Sequence, residues 1–174
     1  LSTIKTLVVE GILDAPSIGG ADAVAVTVSA GASLTVKEPI KFNETESKIA
    51  AGAAFDGVAA EGKSIPADAG AMVNGAEVKK DEKPIIVYTG ALTSAITVEA
   101  GQTVQIKGET STTSVVTVKE GGTLVILNGA ILSATGSPVP YAADNGKIIV
   151  EGTGRATGLP QLSADTERIT DANP

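Results

Sequence analysis

An 11-residue phrase occurs three times in this chain with the same punctuation. The copies read Val26-Thr-Val-Ser-Ala-Gly-Ala-Ser-Leu-Thr-Val36, Ile96-Thr-Val-Glu-Ala-Gly-Gln-Thr-Val-Gln-Ile106 and Val116-Thr-Val-Lys-Glu-Gly-Gly-Thr-Leu-Val-Ile126. Each is apolar-Thr-apolar, two turn residues, Gly, any residue, Ser or Thr, then apolar-any-apolar. Alternation with period two marks strands, and it directs Val26, Val28, Leu34 and Val36 to one side. Ile96, Val98, Val104 and Ile106 match them, as do Val116, Val118, Leu124 and Ile126. Thr27, Thr97 and Thr117 then point outward as a potential ladder. Gly31, Gly101 and Gly121 hold the same place in the turn, where a left-handed backbone requires a residue without Cβ.

Two folds can use such a unit. A β-hairpin places two alternating strands about a Gly-containing turn, and an antiparallel β-sandwich or jelly roll follows from it. A parallel β-helix stacks the copies instead, setting equivalent residues about 4.8 Å apart. The same Gly and the same Ser or Thr in every copy favour the stack, so an all-β solenoid is the expected fold. The second and third copies start at Ile96 and Val116, an offset that lies within the repeat range of solenoids.

The remaining segments are placed around these copies. Thr6 to Leu13 is two apolar runs punctuated by Gly11, and its Val9-Glu10-Gly11 returns as Val150-Glu151-Gly152, which suggests equivalent corners. Residues 14–23, with Pro16 and Gly19-Gly20, read as a loop. Residues 41–84 break the pattern, being rich in Ala and Gly and then charged from Glu77 to Lys83. This stretch reads as an insertion or as degenerate coils. Within it, Asn43 and Glu46 resemble a capping box before a short helix over Ile49 to Phe55. Strand character resumes at Ile85 to Tyr88 and again at Ile148 to Val150, with Asn128-Gly129 and Asn145-Gly146 as turns. A single domain is expected over 1–158, with 159–174 as a tail or cap.

Composition narrows the chemistry. The chain has 174 residues, 43% of them hydrophobic, enough for a sizeable core. Aromatics are only 2%, so that core is aliphatic and narrow. A net charge of −7 argues against nucleic acid as a partner. With no Cys and no His, thiolate chemistry and the commonest general base are both missing. No apolar run reaches the roughly 20 residues that cross a bilayer, so membrane insertion is not expected. The chain opens on strand-like residues at Leu1 rather than on Met, which fits removal of a leader or simple trimming.

The repeated phrases resemble the coils of bacterial extracellular right-handed parallel β-helix proteins, found in adhesins, surface layers and cell walls. That resemblance implies an architecture more than an activity, because the family spans passive stalks, adhesins and polysaccharide-cleaving enzymes. It implies an extracellular or cell-surface location. Its enzymes would use Asp clustered with Arg or Lys on one outer face, sometimes with calcium. Here Arg155 is the only arginine in the repeat region, and no Asp occurs between Lys83 and Ala143. The carboxylate pairs Glu44/Glu46 and Asp81/Glu82 would need a separation of about 5 to 9 Å across a sugar.

Other motifs read as turns first. Gly152-Thr-Gly-Arg-Ala-Thr-Gly158 imitates a phosphate loop but is one residue too long for the dinucleotide fingerprint. Asp144-Asn-Gly is the only candidate for calcium and lacks an acidic loop around it. Asn43-Glu-Thr45 is a glycosylation sequon, relevant in a host that glycosylates. No catalytic residue and no cofactor is expected. The expected role is a non-enzymatic exported module of a surface, matrix or filament assembly, whose partners are copies of itself or other surface proteins. A carbohydrate-binding adhesin module is the alternative, and a polysaccharide lyase or hydrolase comes third.

Overall fold

A computed structural model describes residues 4–135 and 146–157 together with the main chain of 141–144. The chain divides into two compact units, Leu1–Val87 and Tyr88–Pro174. In each, short parallel strands stack coil upon coil as a β-solenoid, about seven turns counted over the chain.

In the first unit the strands are β1 (Thr6–Val9), β2 (Ile12–Ala15), β3 (Ala25–Val28), β4 (Ser33–Val36), β5 (Lys48–Ile49), β6 (Ala54–Asp56), β7 (Met72–Val73) and β8 (Ala76–Glu77). They form two sheets, in the orders β1-β3-β5 and β2-β4-β6-β7-β8. β3 pairs in parallel with β1 and β5, and β4 with β2 and β6. The hairpin alternative therefore fails, because β3 and β4 belong to different sheets. Its turn bends rather than reverses the chain: Ala32 N–H donates to Ser29 O at 2.9 Å, and Gly31 has φ +78°.

Inward residues align in columns, Val9 beside Val28 beside Ile49, and Leu13 beside Leu34 beside Phe55 beside Val73. Val26, Val28, Leu34 and Ile49 are fully buried. The two phenylalanines also lie inside, Phe42 edge-on to Phe55 with centroids 5.7 Å apart. Gly57 makes room for this, since a Cβ there would sit 2.6 Å from the Phe55 ring.

Residues 41–84 carry short rungs and isolated parallel bridges: Val24 to Phe42, Ile40 to Ala59 and Ile49 to Ala67. The expected helix over Ile49 to Phe55 is absent. Asn43 Nδ2 does donate to Glu46 Oε2 at 2.6 Å, but Ser47 N–H then closes a turn on Asn43 O. A helix needs the following N–H groups to reach back four residues. Instead those of Ile49, Ala50, Gly52 and Ala54 donate to Pro66, Val28, Gly70 and Ala32 of neighbouring coils. β7 and β8 pair antiparallel and turn about Asn74-Gly75, both at positive φ as a two-residue hairpin requires.

β9 (Ile86–Leu92) leads into the second unit, which holds β10 (Ile96–Val98), β11 (Thr103–Thr112), β12 (Val116–Lys119), β13 (Thr123–Ile126), β14 (Ile131–Ala134), β15 (Tyr141–Asp144), β16 (Lys147–Val150) and β17 (Arg155–Thr157). β10, β12 and β15 form one sheet, and β16-β13-β11-β14-β17 with β9 the other. Ile96 pairs with Val116 and Thr103 with Thr123, so the second and third phrases lie in consecutive coils, as their offset predicts. Ile96, Val98, Val104, Ile106, Val116, Leu124 and Ile126 are all fully buried. Val150 lies beside Ile126, at the end of a second strand, whereas Val9 lies beside Val28, at the end of a first. The two Val-Glu-Gly phrases thus occupy different corners of the coil, contrary to the expectation. No helix among the described residues is long and apolar enough to cross a membrane.

Candidate functional site

The corners define the surface on which any site must be built. Turns at Ser29–Ala32, Ala50–Ala53 and Asp68–Ala71 each close with an N–H to O bond from the last residue to the first, and each carries glycine third. Gly31, Gly52 and Gly70 have φ +78°, +75° and +87°. Their main chains bond from coil to coil, Gly31 N–H to Gly52 O at 3.1 Å and Gly52 N–H to Gly70 O at 2.9 Å. In the second unit Gly101 N–H donates to Gly121 O at 2.9 Å in the same way, with φ +68° and +74°. As corner residues Gly52 and Gly70 escaped the sequence reading, although a signal for them exists. Val28-Ser-Ala-Gly-Ala-Ser-Leu34, Ile49-Ala-Ala-Gly-Ala-Ala-Phe55 and Ala67-Asp-Ala-Gly-Ala-Met-Val73 share one spacing once Thr is not demanded.

The outward threonines do not make one ladder. Thr97 stands beside Thr117, but the neighbours of Thr27 are Val8 and Lys48. Charges on adjacent coils pair instead. Lys48 meets Asp68 at 2.9 Å, Lys41 meets Glu61 at 3.6 Å, and Lys119 meets Glu99 at 2.7 Å, all exposed. The candidate carboxylates are drawn into similar contacts: Glu44 to Lys63 at 3.6 Å, Glu46 to Asn43, and Glu82 to Lys79 at 3.6 Å. Asp81 occupies a turn at φ +70°. Arg155 is exposed on β17, its register neighbour Ile131. In the loop that imitates a phosphate cradle, Thr153 N–H is bonded to Asn128 Oδ1 and Gly154 N–H to Glu151 O, so these donors serve the fold. Asn145 of the calcium candidate and residues 159–174 lie outside the described residues. Among the described residues no group of three or more acidic, His or Cys side chains converges on a point.

Two surface features have chemical potential. The first is the edge formed by β1 and β2. Among the described residues β1 and β2 are edge strands of their sheets. Their inward Leu7 and Leu13 pack on the core yet are only half-buried. Val8 is 56% exposed and Ile12 86%. An edge strand presents unpaired N–H and C=O groups, and proteins usually blunt it with Lys, Pro or a bulge. β1 reads Thr-Leu-Val-Val without any of these. Such an edge can accept another strand.

The second feature is a shallow cleft of about 500 Å³ in the second unit, lined by Gly90, Ala91, Glu109, Ser111, Ile131 and Ser133 among others. Ser111 and Ser133 are register partners there. Nearby, Lys107 and Tyr88 are half-buried, and loss of hydration lowers the lysine pKa and raises that of the tyrosine. Compared with known protein families, with curated proteins and with solved structures, the chain has no significant match.

Proposed function

We propose that this chain is a non-enzymatic structural module of an exported surface, matrix or filament assembly, joined to copies of itself or to neighbouring surface proteins through the edge that β1 and β2 form among the described residues. The observation that carries the reading is the unblunted pair β1 and β2, with Val8 and Ile12 in solvent and Leu7 and Leu13 incompletely covered. A parallel coil laid on this edge would extend both sheets at once, bury the inward Leu7 and Leu13 and flank the outward Val8 and Ile12. Fully burying a leucine is worth about 1.5 to 3 kcal/mol, before the entropy of association is subtracted. The resemblance of the repeats to bacterial extracellular β-helix proteins supports the exported location. Light scattering and electron microscopy across a concentration series test the proposal. Growth of ordered particles that Val8→Lys with Ile12→Lys abolishes is expected, and dispersed monomers at every concentration would reject it.

The cleft at Glu109 and the Ser111–Ser133 pair favours a second reading, a carbohydrate-binding module, because paired hydroxyls beside a carboxylate can meet sugar hydroxyls. A glycan array separates the two, since the structural module leaves it blank.

A further inference from the structure

Two Asn-Gly pairs lie among the described residues, and their asparagines are held in opposite ways. Asn74 is half-buried and clamped at both ends of its amide: Gly57 N–H donates to its Oδ1 at 2.9 Å, and its Nδ2 donates to Gly57 O at 3.0 Å. Asn128 is exposed, at the second position of the turn Leu127–Ala130, and Gly129 follows at φ +75°. Only its oxygen is engaged. Thr153 of the next coil donates twice to Oδ1, from N–H at 3.0 Å and from Oγ1 at 3.1 Å, while Nδ2 bonds to nothing among the described residues. Two donors on one atom also fix the amide's orientation, because a nitrogen could not accept them. Gly152 leaves the space for this contact, since a Cβ there would lie 2.4 Å from Oδ1.

We infer that Asn128 is a site of self-modification, deamidating through a cyclic imide with Thr153 as the group that polarises its side-chain carbonyl. The Gly129 nitrogen, its proton taken by solvent base, attacks Asn128 Cγ. Negative charge gathers on Oδ1, where the two Thr153 donors already point, as in an oxyanion site. The Cγ–Nδ2 bond then breaks, and ammonia leaves from the exposed side with a proton from water. Water next opens the five-membered imide at either carbonyl, giving Asp or isoaspartate at 128. Isoaspartate adds one methylene to the main chain at a stacked corner. Asp adds a charge to a chain already at −7. An added Cβ at Gly129 would meet nothing within 4 Å, so the turn is open on that side.

The experiment is site-resolved peptide mapping by mass spectrometry during incubation of the full chain under warm, mildly alkaline conditions, with isoaspartate distinguished from Asp. Asn128 should convert at least about tenfold faster than Asn74, and separate peptides keep Asn145 out of the count. Thr153→Val should slow conversion at 128 about three- to tenfold, the range for loss of one neutral hydrogen bond. Thr153→Ser, which restores the hydroxyl, should recover the rate. Circular dichroism matched to the parent establishes that both variants are folded. Equal rates at Asn128 and Asn74, or a Thr153→Val rate unchanged from the parent, would overturn the inference.

Discussion

In the unit from Tyr88 onward the first step is equal in the two sheets, Ile96 to Val116 in one and Thr103 to Thr123 in the other, the next steps are longer, and strand β11 runs for 10 residues. In the unit ending at Val87 the step wanders, being longer from Ser33 to Ala54 than from Ala54 to Met72, and the later rungs shrink to 2 or 3 residues. Both units nevertheless seal the middle of their inward columns to near zero exposure. The length of strand is therefore not what holds a coil. What the two share is an inward apolar residue on either side of a tight corner with glycine third. The first unit substitutes ring volume for ladder length: Phe42 and Phe55 fill the interior where the rungs are shortest.

The strongest way to break this comparison is to remove that ring. Phe55→Ala should cost about 3 to 5 kcal/mol, as large-to-small changes in tight cores do. Denaturant unfolding measures the loss, and hydrogen exchange locates it. Loss of protection confined to residues 4–87 would mean that the units are held separately, whereas loss in both would make the shared design a single cooperative one.

Corner substitutions sharpen the comparison at a smaller scale. Gly31→Ala and Gly121→Ala should each cost about 1 to 2 kcal/mol, since a Cβ in the left-handed region strains the backbone. An added Cβ at Gly31 has open space, and at Gly121 it makes only ordinary contact with Ala100 at 3.7 Å, so strain alone is measured. Equal losses in thermal unfolding would support a common corner. A loss at one position only would show that the corners differ.

The smallest effect concerns Lys107, in the second unit. Its pKa is lowered in the folded state, so between that lowered value and the ordinary 10.5 the unfolded chain binds more protons. The burial penalty is then fully present at neutral pH and is relieved as pH rises through the lowered pKa. Half of the side chain still meets water, which keeps the penalty small. Lys107→Met removes that penalty together with the ammonium's own contacts, so stability at neutral pH should change by no more than about 0.5 kcal/mol. In urea titrations run at increasing pH towards 10.5 the difference should move in favour of the parent, and a difference independent of pH would assign it to packing instead.

Much of the second unit was readable because its inward sites are Val, Ile and Leu at strict alternation and its turn carries the only Gly of the phrase or the first of two. Every one of the alternating positions in the three phrases is buried. Residues 41–84 were harder for a physical reason. Ala fills the positions where Thr and Val stand elsewhere, and alanine favours a helix when nothing else is specified. The deciding partners Pro66, Val28 and Gly70 lie a whole coil away from the N–H groups they satisfy, at Ile49, Ala50 and Gly52. Local propensity carries no trace of them. The threonine ladder failed for another reason, since equal places in a phrase are neighbours only when the phrases belong to consecutive coils. Asn74 and Asn128 are legible as turn formers from the Gly that follows each, yet their unequal grip on the next coil depends on Gly57 and Thr153, which no spacing rule connects to them.

The unequal steps around the coil also bear on how such a chain can change. In the second unit Thr123 lies between Thr103 and Lys147, and the step to the lysine is the longer of the two. Residues are gained there without disturbing the columns on either side. A gene encoding such a chain can lengthen or shorten between corners by a few codons, or by one whole coil, and return to the same register. The coil is then the unit of inheritance as well as of structure.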